Sequence, residues 1–229
     1  MRRSFVVANS NSWFSEQALT AKFTGHDFHF IREKHHLTSE ALSLINPRYV
    51  FFPHWSWRVP EQIFRRWECV VFHVAPLPYG RGGSPIQNLI QQGFQESPFH
   101  ALRMEDELDA GPIYLSTKVG LGGSLGDILR ELSNSAIEMI GEIIAGEPEP
   151  TAQSGQVHVF QRRSPEMSEI QRSDSPSDIY DKIRMVDFGE YPRAFIPFGD
   201  GVIRLTDARI ESGRLFARAE FKSEPQDGA

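Results

Sequence analysis

Four short apolar runs, at residues 4–8, 28–31, 49–52 and 68–73, recur in the first third of this chain, with intervals between them long enough for a helix. They are rich in Val, Ile and Phe. A strand covered on both faces carries such a run, and strands spaced by helix-length intervals are joined by crossovers, not by hairpins. The pattern therefore predicts an α/β fold: a mostly parallel, Rossmann-like sheet with flanking helices. Residues 15–22 and 39–45 are the expected crossover helices. A third helix continues through residues 88–92, with Ser84 as its N-cap and Pro85 in its first turn.

Further on, residues 114–119 alternate like a strand. Residues 124–145 place Leu125, Ile128, Leu129, Leu132, Ile137, Ile140 and Ile143 at the spacing of one helix face, and Gly146 to Pro150 stop that helix. The proline-punctuated stretch 162–177 reads as a linker or a loop laid over the first unit. A short helix at 178–186 and three runs at 194–196, 202–208 and 214–221 then predict a small antiparallel sheet. The expected organisation is a catalytic unit over residues 1–150, a small β-rich C-terminal unit with its linker over 151–222, and a disordered tail over 223–229.

At 229 residues and 40% hydrophobic content, the chain can bury one sizeable core and a smaller one. No apolar run approaches the roughly 20 residues of a bilayer span, so no membrane partner is expected and the cytoplasm is the expected location. The single cysteine, Cys69, lies in an apolar run and reads as a buried structural thiol; no metal is expected. A formal net charge of -6 offers no broad footprint for a polyanion, which predicts no nucleic-acid partner. The glycine fingerprint of dinucleotide folds and the phosphate-loop lysine signature are both missing, which argues against NAD and ATP.

Chemistry concentrates in two segments. His73 ends an apolar run and would emerge at the carboxyl end of the sheet, where open α/β sheets place their sites. Asp109, inside Leu108-Asp109-Ala110-Gly111, can orient an imidazole and support its cationic form, although Asp-x-Gly is also what a plain turn shows. Tyr79, Gly80, Arg81, Gly82, Gly83 and Ser84 form a glycine-rich stretch ahead of a helix, suited to an anion, with Arg81 as a phosphate clamp; a tight turn fits the glycines equally. The aromatics of residues 51–60 would wall a flat heterocycle.

The order of strand-His, Leu77-Pro78, Arg81-Gly82 and Leu108-Asp109-Ala110-Gly111 resembles the formyltransferases that use 10-formyltetrahydrofolate, over roughly residues 48–216. That family includes methionyl-tRNA formyltransferase, glycinamide ribonucleotide formyltransferase and the N-formyltransferases of nucleotide-linked amino sugars. The resemblance implies a formyltransferase with His73 and Asp109 catalytic. It further implies 10-formyltetrahydrofolate bound at Trp57, Val59, Met104, Glu105, Leu108 and Asp109, with the acceptor along residues 79–84 and at Arg163. One departure stands out: the family carries an asparagine two positions before the histidine, and this chain has Val71. An alternative follows from it, a module that binds but transfers nothing. The Arg162-Arg163-Ser164-Pro165 segment is similar to one in the amino-sugar enzymes. The expected acceptor is therefore a nucleotide-linked deoxyamino sugar, with a tRNA acceptor as the alternative that the acidic balance and short C-terminal region disfavour. A homodimer through an apolar surface is compatible with the sequence.

Overall fold

The structure, a computed structural model, describes residues 2–189 and 191–223. Strands β1 (Ser4–Asn9), β2 (Asp27–Ile31), β3 (Val50–His54) and β4 (Cys69–Val74) form the parallel part of a six-stranded sheet, continued by β6 (Glu96–Arg103) and β7 (Ile113–Gly120) in the order β2-β1-β3-β4-β6-β7. Both β4–β6 and β6–β7 are antiparallel, so the sheet is mixed: the parallel expectation describes its first four strands. Sequence reading passed over β6 because Pro98 interrupts it. Pro98 sits one residue past the last β4 pairing, Val74 with Phe99, where its missing N–H forfeits no bond to β4.

Helices α1 (Glu16–Lys22) and α2 (Ser39–Ile45) cross between the parallel strands, each started by a hydroxyl that accepts a backbone N–H: Ser15 from Ala18 and Thr38 from Ala41. A short turn of helix, α3 (Glu61–Phe64), precedes β4, and α4 (Pro85–Gln91) follows the 79–84 segment. The long α5 (Leu125–Gly146) opens on a capping box of Ser124 and Asp127. Its apolar face packs on one side of the sheet with Phe5, Val7, Phe51, Val70 and Phe72, while Val6, Ala8, Val50, Phe52 and Cys69 turn to the other side, against Leu42, Ile63 and Trp67. The two-sided burial of β1, β3 and β4 is what makes their sequences continuously apolar.

Residues 79–82 differ from expectation. They form a strand, β5 (Tyr79–Gly82), paired in parallel with β8 (His158–Phe160), a segment that returns from beyond α5. Ser84 is not a capping residue in the ordinary sense: its φ is 52°, and its hydroxyl accepts the Arg163 N–H at 3.1 Å instead of a helix N–H.

After α6 (Pro176–Arg184), the strands β9 (Ala194–Phe198), β10 (Gly201–Glu211) and β11 (Arg214–Ser223) build the three-stranded antiparallel sheet in the order β11-β10-β9. The tail expected over 223–229 lies, beyond Ser223, outside the described residues. The register sorts its two faces. One carries Ala194, Ile196, Ile203, Leu205, Ala219 and Phe221, and Leu205 packs against the main core. The other carries Phe195, Val202, Arg204, Thr206, Arg209, Phe216, Arg218 and Lys222, with the Arg209 guanidinium 5.2 Å above the Phe216 ring. No helix among the described residues is long and apolar enough to cross a membrane.

Across the sheet, His73 in β4 pairs with His100 in β6, which pairs with Ser116 in β7. The Ser116 hydroxyl lies 2.6 Å from His100 Nδ1. Burial, and then the nearby His73, push His100 down to about 4. A base held below its ordinary 6.5 stays neutral in the fold while the unfolded chain takes up a proton, so its contribution is whole above pH 6.5 and is lost as pH falls towards 4. Urea unfolding of the native chain and of His100→Gln should therefore show a stability gap at pH 7.5 that narrows at pH 4.5; a gap independent of pH would refute this.

Candidate active site

Beyond the carboxyl ends of β3 and β4 lies a cavity of about 650 Å³, within the size range of pockets that enclose small organic ligands. One wall is the loop after β3, with Trp55, Trp57 and Val59; facing loops contribute Met104, Glu105, Leu108 and Asp109, and the floor includes Val71, Phe72 and His73. Trp55 and Trp57 meet edge to face, with centroids 5.0 Å apart. Leu108 is 68% exposed and Trp57 36% exposed, so both stand at the rim with apolar surface open.

His73 and Asp109 come together here although 36 residues separate them in the chain. Both are buried, and His73 Nδ1 lies 3.4 Å from Asp109 Oδ2. His73 Nε2 donates to the Gly80 carbonyl at 2.8 Å. A carbonyl can only accept, so Nε2 carries a hydrogen and Nδ1 is the nitrogen left facing Asp109. The same Asp109 oxygen accepts the Gly82 N–H at 2.9 Å. Asp109 itself sits at φ 54°, a left-handed conformation that Asp tolerates better than most side chains. Burial, and behind it the charge of Arg162, hold His54 below its ordinary value, so the neighbouring imidazole is neutral near pH 7.

The loop carrying Asp109 is locked by a residue that sequence reading missed. Gln153 donates to the carbonyls of Asp109 at 2.7 Å and Gly111 at 2.9 Å, and its own amide oxygen accepts from Arg81 Nε at 3.1 Å. Arg81 also reaches Glu107 at 2.8 Å. Nothing in the Thr151-Ala152-Gln153-Ser154 stretch announces this, because the signal is purely one of tertiary placement.

Of the residues expected at the donor site, Trp57, Val59, Met104, Glu105, Leu108 and Asp109 all line the cavity. Of those expected to hold the acceptor, Gly82 and Gly83 line it; Tyr79, Gly80, Arg81, Ser84 and Arg163 lie off its wall. The physical reason is that their polar groups are engaged elsewhere. Arg81 is tied to Gln153 and Glu107, Gly80 gives its carbonyl to His73, and the Tyr79 hydroxyl donates to Gln92 while its ring stacks on His158. Arg163 is spent on Gln91 and the Met167 carbonyl. Its neighbour Arg162 lines the cavity instead. No open cradle of N–H groups remains along 79–84, since Gly82 donates to Asp109 and Gly83 to Phe160.

The chain belongs to the formyltransferase family: a solved relative is 37% identical and is covered in full. That relative is methionyl-tRNA formyltransferase from Clostridium thermocellum, which superposes with a TM-score of 0.94 over 97% of this chain. The family model described as the methionyl-tRNA formyltransferase C-terminal domain matches residues 165–222. Methionyl-tRNA formyltransferase from Dichelobacter nodosus is 28% identical over 179 residues, 75% of this chain and 54% of that protein. The chain spans about half the length of the curated relatives it matches. By contrast, a likely sugar N-formyltransferase from Mycobacterium tuberculosis shares 15% identity at a TM-score of 0.65, covering 99% of this chain and 100% of that one, a likeness of fold alone.

These findings overturn the expectation of a nucleotide-linked amino sugar as acceptor, and they remove the ground for excluding nucleic acid. The net charge misled because it averages over the chain. On the outer face of the C-terminal sheet, Arg204, Arg209, Arg214, Arg218 and Lys222 stand against only Glu211 and Glu220.

A methyl added at Gly111 would fall onto the Arg103 carbonyl oxygen, part of the backbone that shapes the Asp109 loop. Gly111→Ala should cost about 1–3 kcal/mol in urea unfolding, as overpacking against backbone does; an unchanged midpoint would show that the loop yields freely.

Proposed function

We propose that this chain transfers a formyl group from 10-formyltetrahydrofolate to the amine of methionyl-tRNA. The observation that carries the reading is the His73–Asp109 pair at one cavity beneath flat apolar walls. Trp57, Val59, Phe64 and Leu108 offer a slot for a planar ring, and the polar backbone of the 104–109 loop borders it, so the residues present suit a pterin. When bound, the donor would supply an electrophilic formyl carbon and, on release from it, a leaving nitrogen able to accept the proton that the amine gives up.

The protein's own part is to manage protons and charge. The attacking amine must be neutral and must lose a proton as it bonds. His73 Nδ1 is the nitrogen free to take it, because Nε2 is committed to Gly80. Asp109 holds the resulting imidazolium, and the Gly82 N–H keeps the carboxylate oriented. Once protonated, Nδ1–H is also a charged donor for the oxygen that gains charge, a task to which the apolar Val71 on the wall adds nothing. An oxyanion donor is worth about 3 kcal/mol in such reactions. Val71 therefore also favours a second reading, a domain that binds the same ligands without turnover.

The tRNA acceptor is supported by the basic outer face of β9, β10 and β11, where Phe195 and Phe216 interleave with the cations in the manner of nucleic-acid surfaces. The relatives named above point the same way.

Transfer of labelled formyl groups onto methionyl-tRNA tests the proposal; donor binding without transfer would uphold the binding module instead. His73→Ala and Asp109→Asn should each lower kcat about 100-fold or more, and near-normal turnover in either variant would remove that residue from the mechanism. Reversing Arg209 and Arg218 to Glu should weaken tRNA binding and flatten its salt dependence by about one logarithmic unit per lost phosphate contact, read by filter-binding titrations between 50 and 200 mM salt; unaltered slopes would take this face out of recognition.

A further inference from the structure

Arg162 is the one member of the Arg162-Arg163 pair that the fold leaves on the cavity. Among the described residues it has no carboxylate within ion-pair distance, whereas Arg163 is fully engaged. Its side chain is exposed, but the backbone of its neighbours is fixed on either side. Gly83 N–H donates to the Phe160 carbonyl at 3.2 Å, Asn88 donates to the Gln161 carbonyl at 3.1 Å, and Arg163 N–H donates to the Ser84 hydroxyl at 3.1 Å. Gly83 packs directly against it: a Cβ there would come within 2.7 Å of Arg162 Cβ and 2.8 Å of its Cα. A cation serving only solubility needs no such mounting. An arginine mounted at a cavity beside a neutral His54 is a fork for an anion that arrives with the ligand.

Resting on the formyl-transfer reading, we infer that Arg162 holds the phosphate of the acceptor's terminal nucleotide and so sets the distance between its amine and His73. The acids of the 104–109 loop are in part already neutralised, Asp106 by Arg65 and Glu107 by Arg81, and of the arginines that line the cavity, Arg58, Arg103 and Arg162, the last is the one carried by the segment that returns beside β5. It is a positioning residue: the phosphate it holds lies outside the reacting atoms.

Two measurements separate this from the reading it rests on. In calorimetric titrations of the full chain, adenosine 5′-monophosphate should bind about tenfold tighter than adenosine, the worth of one charge-assisted contact. Arg162→Gln should abolish that preference, Arg162→Lys should keep part of it, and Gly83→Ala, which dislodges the Arg162 backbone, should reduce it. In turnover, Arg162→Gln should raise KM for methionyl-tRNA about tenfold and lower kcat, with the donor KM unchanged. Equal binding of the two adenosine compounds, or a preference that survives Arg162→Gln, overturns the inference. A phosphate preference that depends on Arg162, in a chain that transfers no formyl group, upholds the inference and sinks the transferase reading. Formyl transfer indifferent to Arg162→Gln does the reverse.

Discussion

One hydrogen bond ties the working parts together: the Gly82 N–H to the Asp109 carboxylate. It joins β5, which hands its Gly80 carbonyl to His73, to the loop between β6 and β7, which forms one side of the cavity. Without it the carboxylate would have only a 3.4 Å approach to the imidazole to orient it, and a lone contact of that length fixes little. Position 82 has φ 101° and would place a side chain on the Phe160 carbonyl, so only glycine brings that N–H to Asp109. Around this bond the other contacts form a closed circuit, with Gln153 holding the Asp109 carbonyl and Arg81 holding Gln153.

This circuit explains why an arginine and several glycines that resemble a phosphate cradle act differently. Buried polar groups must find partners, and here they find each other. Arg81 spends its donors inside the protein, so the outward-facing cation passes to Arg162. Arg65 and Arg81 neutralise acids of the 104–109 loop, while Arg58, Arg103 and Arg162 line the cavity.

Much of the fold was legible because strands buried on both faces cannot hide their composition. Residues 4–8 and 68–73 foretold β1 and β4 to within a residue or two, and Ser15, Ser124 and Pro85 marked helix starts in the places found. The antiparallel turn of the sheet stayed hidden, since Glu96, Pro98 and His100 break the apolar rhythm of β6. In the site, His73 and Asp109 and the donor-side residues could be named from motifs. Arg162, Gln153 and the strand character of residues 79–82 could not, because each depends on where β8 lies, and a three-residue strand with two exposed members leaves no periodicity to read. The amino-sugar acceptor rested on the Arg162-Arg163-Ser164-Pro165 likeness and on a whole-chain charge, which conceals the face of an alternating strand that the arginines occupy.

The route of the chain after α5 has an architectural implication. Having completed the sheet, the polypeptide doubles back through residues 151–163, bridging Thr151 to Ile113 and laying β8 beside β5, before it departs for α6 and the terminal sheet. The seam between the two halves therefore runs along the cavity that holds His73 and Asp109. A fragment ending at Pro150 would retain the imidazole and the acid but forfeit the Gln153 brace that holds the Asp109 loop. Evolutionary exchange of the C-terminal part for another would thus have to preserve this returning strap, which belongs mechanically to the half it follows.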